Sequence, residues 1–151
     1  MPSSPKLASV ENYEYFIYSL PDAYSNIRFS TLVVIRVGTS TAIVRGEIHF
    51  KQDLILCVLE FVDFHKHRIR HYSYDIYQHG EKIRWYDPWP HPTIPALIST
   101  HPHHVHVPPD IKHNRKPAPG FSFTRPNIPL LIREILTIQR PTESTAGRGS
   151  T

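Results

Sequence analysis

The chain has one cysteine, one methionine and six glycines among 151 residues. A lone Cys57 excludes an intrachain disulfide, and its place in the apolar run Leu54 to Leu59 reads as a small buried hydrophobe in a reducing compartment, not a catalytic thiol. So few glycines argue against a phosphate-cradling loop, and no CxxC, HExxH, Walker or GxSxG pattern occurs. No apolar run approaches the roughly 20 residues that a membrane helix needs, and the first twenty residues contain no uninterrupted signal core. A soluble, cytoplasmic protein with no membrane contact is expected. Hydrophobic residues at 40% and charged residues at 20% exclude a largely disordered chain. The length suits one domain whose core needs neither disulfide nor structural metal for stability.

Proline and histidine are abundant instead, at fifteen and eleven residues, and the formal net charge is +4. The charge is uneven: residues 1–63 carry five Lys/Arg against seven Asp/Glu, whereas residues 64–140 carry eleven against five. A basic half of this kind attracts polyanions, which makes nucleic acid a candidate partner.

Periodicity divides the chain. Tyr13, Phe16, Ile17 and Leu20 recur at helical spacing until Pro21 stops the run. Thr31 to Val37 is β-branched and ends at the turn Gly38-Thr39-Ser40. Strands are expected next over 41–51 and 53–63, the second well inside a sheet. A hairpin follows, 66–78 and 81–87, with His79-Gly80 as its turn. A two-residue turn would pair Ile76 with Ile83, Tyr74 with Trp85 and Tyr72 with Asp87 on an apolar face. The wet face would then carry Tyr77 with Lys82, Asp75 with Arg84 and Ser73 with Tyr86. Tyr72 and Tyr74 read as core aromatics. Glu60 shares a strand face with Leu54, Leu56, Val58 and Val62, so it is expected at the sheet's exposed end or else buried against Arg68, Arg70 or a histidine.

Eleven of the fifteen prolines lie between Pro88 and Pro129, which predicts a long loop broken only by a short strand near His103 to Val107. Asn127-Ile128-Pro129 then opens a helix with Leu130, Leu131, Ile135 and Ile138 as its apolar stripe. The expected fold is α+β: an antiparallel five-stranded meander with an N-terminal and a C-terminal helix and a long His/Pro-rich loop. It forms a single domain over residues 10–140, between tails at 1–9 and 141–151.

Six histidines fall between His91 and His113, most densely in His101-Pro102-His103-His104-Val105-His106-Val107. On an extended segment, residues two apart share a face about 6.6 Å apart, so His104 and His106 project together while His103 joins Val105 and Val107. Such a pair can ligate zinc or another divalent ion, with His91 or Asp87 as a third ligand. It can equally act as general base and acid with no cofactor, and His-rich loops without a specific role also exist. Arg84, Lys82 and Tyr86 form a candidate phosphate-gripping patch beside Asp87-Pro88-Trp89-Pro90-His91.

The succession Leu59-Glu60-Phe61-Val62-Asp63, Tyr72-Ser73-Tyr74, Trp85-Tyr86-Asp87, Pro90-His91 and Pro102-His103-His104-Val105-His106-Val107, followed by a C-terminal helix, resembles the TumE-like proteins. These are small prokaryotic chains labelled as toxins of toxin–antitoxin pairs. The resemblance covers residues 30–138, and the Pro102 block is its most specific part. The family pattern reads E-[YF]-V-D, Y-S-Y-H, R-Y-D-N-A-P-H-H and P-H-H-K-H-V. This chain departs from it with Trp85 at the family's Arg, Pro88 at its Asn, Pro92 at its second His and Val105 at its Lys. The resemblance implies a cytoplasmic toxin whose gene stands beside that of a small helix-turn-helix antitoxin. If the departing groups are catalytic, it implies an altered or inactive copy.

Residues and resemblance together give the leading expectation, a toxin acting on RNA as a small ribonuclease. His104 and His106 would carry protons, with His91, His103, Tyr86, Arg84 and Asp87 in the active centre. Lys82, Arg84, Lys112, Arg115 and Lys116 would hold phosphates, and Trp89 would stack a base. The other expectations are a zinc site on His91, His104 and His106, and a non-enzymatic module that docks through its His/Pro loop.

Overall fold

The alternating segments between residues 41 and 87 fold as antiparallel neighbours, as their period of two dictates. They do so inside a sheet larger than the meander expected from sequence. A computed structural model describes residues 4–140, so the C-terminal tail expected at 141–151 lies outside the described residues. The elements are α1 (Val10–Tyr18), α2 (Leu20–Ala23), β1 (Ile27–Ser30), β2 (Val33–Val37), β3 (Thr41–Phe50), β4 (Leu54–Asp63), β5 (Arg68–Gln78), β6 (Glu81–Asp87), β7 (His104–His106), β8 (Arg115–Pro117) and α3 (Ile128–Gln139). Eight strands form one sheet in the order β1-β3-β4-β5-β6-β7-β8, with β2 also paired to β3, in place of the expected five.

The additional strands come from short segments that borrow order from an edge. β1 and β2 lie end to end along the same side of β3, Ile27 to Ser30 against Phe50 to Ile48 and Val33 to Val37 against Arg45 to Thr41. The corner between them rests on Gly46, where any Cβ would stand 2.7 Å from the Thr31 carbonyl oxygen. The predicted long loop contains the expected short strand as β7, and it adds β8 and a 3-10 turn at Pro95–Thr100.

One layer of helices covers one face. Tyr13, Phe16 and Ile17 of α1, with Leu20, pack with Leu131, Ile132 and Ile135 of α3 in a core shared with Val44, Ile48, Leu56, Val58, Tyr72, Tyr74 and Ile76 of the sheet. α1 ends at Tyr18, just short of Pro21, which occupies the first turn of the separate four-residue α2, where its missing N–H costs nothing. Leu7, within the stretch expected to be a tail, is wholly buried. The buried stripe of α3 is Ile128, Leu131, Ile132 and Ile135, rotated from the expected one, and Leu130 is only half-buried. No helix among the described residues is long and apolar enough to cross a membrane.

Glu60 is buried and faces tyrosines, neither at an exposed end nor beside a cation. Tyr13 donates its hydroxyl to Oε1 at 2.5 Å, and Tyr74 donates to Oε2. Burial raises the carboxyl's pKa, while the two hydrogen bonds pull it back down.

The β5–β6 hairpin departs from its predicted register. His79 and Gly80 do form the two-residue turn, both at positive φ, and Gln78↔Glu81 and Tyr77↔Lys82 pair as expected. A bulge then absorbs Ile83, and the pairs beyond it are Ile76↔Arg84, Asp75↔Trp85 and Tyr74↔Tyr86. One extra residue exchanges the faces. Tyr86 and Arg84 turn to the helix side with Tyr74 and Ile76, and Trp85 and Asp87 turn to the face without helices. The predicted Asp75–Arg84 ion pair is replaced by Lys82–Asp75 at 3.5 Å, while Arg84 Nε stands 3.8 Å from Glu134 on α3.

Candidate functional site

β7 pairs antiparallel with β6 in the register Trp85↔His106, Tyr86↔Val105 and Asp87↔His104. Because side chains alternate, Trp85, Asp87, His104 and His106 share the helix-free face of these two strands, and Tyr86 and Val105 the other. The bulge at Ile83 brings Asp87 to that face, and the His-x-His spacing brings both imidazoles to it.

The three side chains converge. His104 Nε2 and His106 Nε2 are 3.1 Å apart, His104 Nε2 is 3.3 Å from Asp87 Oδ1, and His106 Nε2 is 3.2 Å from Asp87 Oδ2. All three residues are buried. Each is also held from behind. His104 Nδ1 donates to the Pro102 carbonyl at 3.1 Å, and His106 Nδ1 to the Ile111 carbonyl at 2.8 Å. The Trp89 amide donates to Asp87 Oδ1 at 2.8 Å. Since a carbonyl can only accept, both Nδ1 atoms carry hydrogen, and in the neutral rings both Nε2 atoms are free lone pairs. Burial lowers the pKa of His104, favouring that neutral form.

Asp87, His104 and His106 are thus a set of three groups able to hold one metal ion, their ligand atoms all within 4.8 Å of one another. The sequence left His91 or Asp87 as the third ligand, and Asp87 is the one that stands in this set. His91 packs edge-on against the His104 ring, centroids 4.9 Å apart, at the rim. Burial, with the neighbouring Arg115 charge, lowers its pKa.

A cleft of about 400 Å³ opens above the cluster, lined by His71, Ser73, Trp85, Asp87, Trp89, His91, His106, Lys112 and Arg115. Its walls carry two indoles and two cations around a carboxylate and imidazoles. Trp89 is 67% exposed. Arg115 Nε is buried with no hydrogen-bond partner among the described residues, a donor left for an anion. Lys82 Nζ lies 5.1 Å over the Trp85 ring, so it flanks the cleft.

Other residues expected at the site lie elsewhere. His103 points to the core side, where its Nδ1 and the Tyr72 hydroxyl share a hydrogen bond of 2.6 Å, and burial lowers its pKa to about 4. Arg84, Tyr86 and Lys116 line a separate groove against α3. The physical reason is strand parity: Lys116 pairs with Val105 and Tyr86 with Val105 on its other side, all facing away from His104 and His106. Sequence reasoning missed His71, Ser73 and Trp85 as cleft residues. His71 and Ser73 stand two apart on β5, so their shared face was the available signal.

A family model described as Toxin TumE matches residues 20–139. No curated protein and no solved structure matches the chain.

Proposed function

This chain belongs to the TumE toxin family, and on that premise we propose that it poisons the cell by cutting RNA in the cleft above Asp87, His104 and His106. The family makes it a toxin of a toxin–antitoxin system and implies an antitoxin partner. That the partner is a small helix-turn-helix protein, and that the pair works in the cytoplasm, belong to the proposal.

Cutting RNA at its own 2′-hydroxyl needs a base for that proton, positive charge around the phosphorane and an acid for the departing oxygen. The 2′-oxygen bonds to phosphorus, the bond from phosphorus to the 5′-oxygen breaks, and the proton moves from the first oxygen to the second by way of protein groups. The floor of the cleft offers the lone pairs of His104 and His106 beside the Asp87 carboxylate. His91 at the rim is the group within reach of a leaving oxygen. Lys112 and Arg115 are the cations for the phosphate, and Trp89 is the exposed ring for an unpaired base.

One observation carries the reading: the convergence of both Nε2 atoms on Asp87 at 3.3 and 3.2 Å and on each other at 3.1 Å, under a cleft walled by Lys112, Arg115, Trp85 and Trp89. The test is incubation of the purified full chain with labelled RNA. Cutting is expected, with a 2′,3′-cyclic phosphate end, and a 2′-deoxy substitution at the cut position should block it. Asp87→Asn and His106→Gln should each lower the rate at least a hundredfold and relieve growth arrest. Intact RNA from a preparation whose expression arrests growth overturns the proposal.

A further inference from the structure

The floor of the cleft poses an electrostatic problem. Both Nδ1 atoms donate to carbonyls, so both neutral rings turn bare lone pairs toward each other across 3.1 Å. The third member, Asp87, is acceptor-only, and its nearest approaches to the rings are 3.3 and 3.2 Å. With both rings neutral, three acceptors with no donor among them repel, and more strongly for being out of water. A cation at their centre turns repulsion into attraction.

We infer that Asp87, His104 and His106 hold one divalent transition-series ion, with zinc the best fit. Zinc bonds to nitrogen and oxygen of about 2.0 to 2.1 Å put neighbouring ligand atoms of a tetrahedron about 3.3 Å apart. The two nitrogens stand 3.1 Å apart, and the carboxylate approaches one through Oδ1 at 3.3 Å and the other through Oδ2 at 3.2 Å, separations of that size. Two imidazoles in the set disfavour magnesium and calcium, which take oxygen ligands. Every ligand has the support from behind that metal sites share: the Pro102 and Ile111 carbonyls on the two Nδ1 atoms, and the Trp89 amide on Oδ1. Three protein ligands leave one tetrahedral corner, on the side where Asp87 and His106 line the cleft. An open corner belongs to a reactive site rather than a structural one. The ion would make His104 and His106 ligands and pass the task of activating the 2′-hydroxyl to the metal. That consequence rests on the RNA-cutting reading above, whereas the binding of the ion does not.

The full chain, prepared without a polyhistidine tag and stripped with chelator, is titrated with Zn²⁺ by calorimetry and with Co²⁺ by absorption spectroscopy. Mg²⁺ serves as the control ion. One equivalent of Zn²⁺ is expected, with a rise in melting temperature, and Co²⁺ should give the strong visible bands of a four-coordinate site. Asp87→Asn and His106→Gln should weaken Zn²⁺ at least a hundredfold while keeping the circular dichroism of the metal-free wild type. His113→Ala, at an exposed histidine, should bind as wild type does. Absence of stoichiometric Zn²⁺, or binding unmoved by Asp87→Asn and His106→Gln, overturns the inference. RNA cut at full rate by stripped, zinc-refusing protein would sink the ion and leave RNA cutting standing. Zinc bound by a protein that cuts no RNA would do the reverse.

Discussion

The indole of Trp85 lies nearly flat on the imidazole of His106, ring centroids 4.2 Å apart and planes 20° apart. The two residues are opposite one another on β6 and β7, so the stack follows from the register of the pair. It fixes the plane in which the His106 Nε2 lone pair points. Trp85 thus gives the cleft an aromatic wall beside that lone pair.

Trp85→Ala should therefore slow RNA cutting about tenfold, the scale of one aromatic stack. Trp85→Phe keeps a ring against His106 and should retain most of the rate. Equal losses in the two variants, measured as initial rates on the same RNA, would show that stacking does not orient the imidazole.

Lys112 and Arg115 line the cleft, whereas Arg84 and Lys116 line the groove beside α3. Removing either of the first pair should weaken binding to a short single-stranded RNA. It should also flatten the slope of log affinity against log salt by about 0.7 for each phosphate no longer neutralised. Arg84→Ala and Lys116→Ala should leave both quantities unchanged. Fluorescence anisotropy at several salt concentrations reads both, and weaker binding with the second pair would move the RNA path to the other face.

Glu60 supplies the pH dependence. Its folded pKa is raised chiefly by burial, so the stability it contributes is full below the unfolded carboxyl value of about 4.3 and is eroded as pH rises through the folded value. Glu60→Gln cannot ionise. Its stability relative to wild type should grow as pH rises from the unfolded carboxyl value toward the raised folded one. Glu60→Ala leaves the Tyr13 and Tyr74 hydroxyls without their acceptor and should cost about 3 kcal/mol. Urea denaturation across pH checks both, and a Gln-to-wild-type difference constant with pH would contradict the raised value.

Much of this architecture was legible in the sequence, and the errors have identifiable causes. β3, β5 and β6 announce themselves by alternation and β4 by a run apolar on both faces, and the shared face of His104 and His106 follows from a spacing of two. The hairpin turn was legible too, because His79-Gly80 suits positive φ at both positions. The bulge was not: Ile83 is β-branched and carries no glycine or other mark of an extra residue. That one residue interchanged Trp85 and Asp87 with Arg84 and Tyr86. β1 and β8 are three or four residues long and exist because a neighbour offers an edge, which no local pattern encodes. The burial of Glu60 depends on Tyr13, forty-seven positions away, so its strand alone read as ending in solvent.

The break between β1 and β2 over Gly46 matters beyond the architecture. That flank of the molecule offers rails of four and five residues, interrupted by a corner, where a continuous strand would offer ten. A foreign strand finds no long straight ladder there to lengthen. The protein is thereby guarded on this side against fibril-like stacking when it accumulates at high concentration.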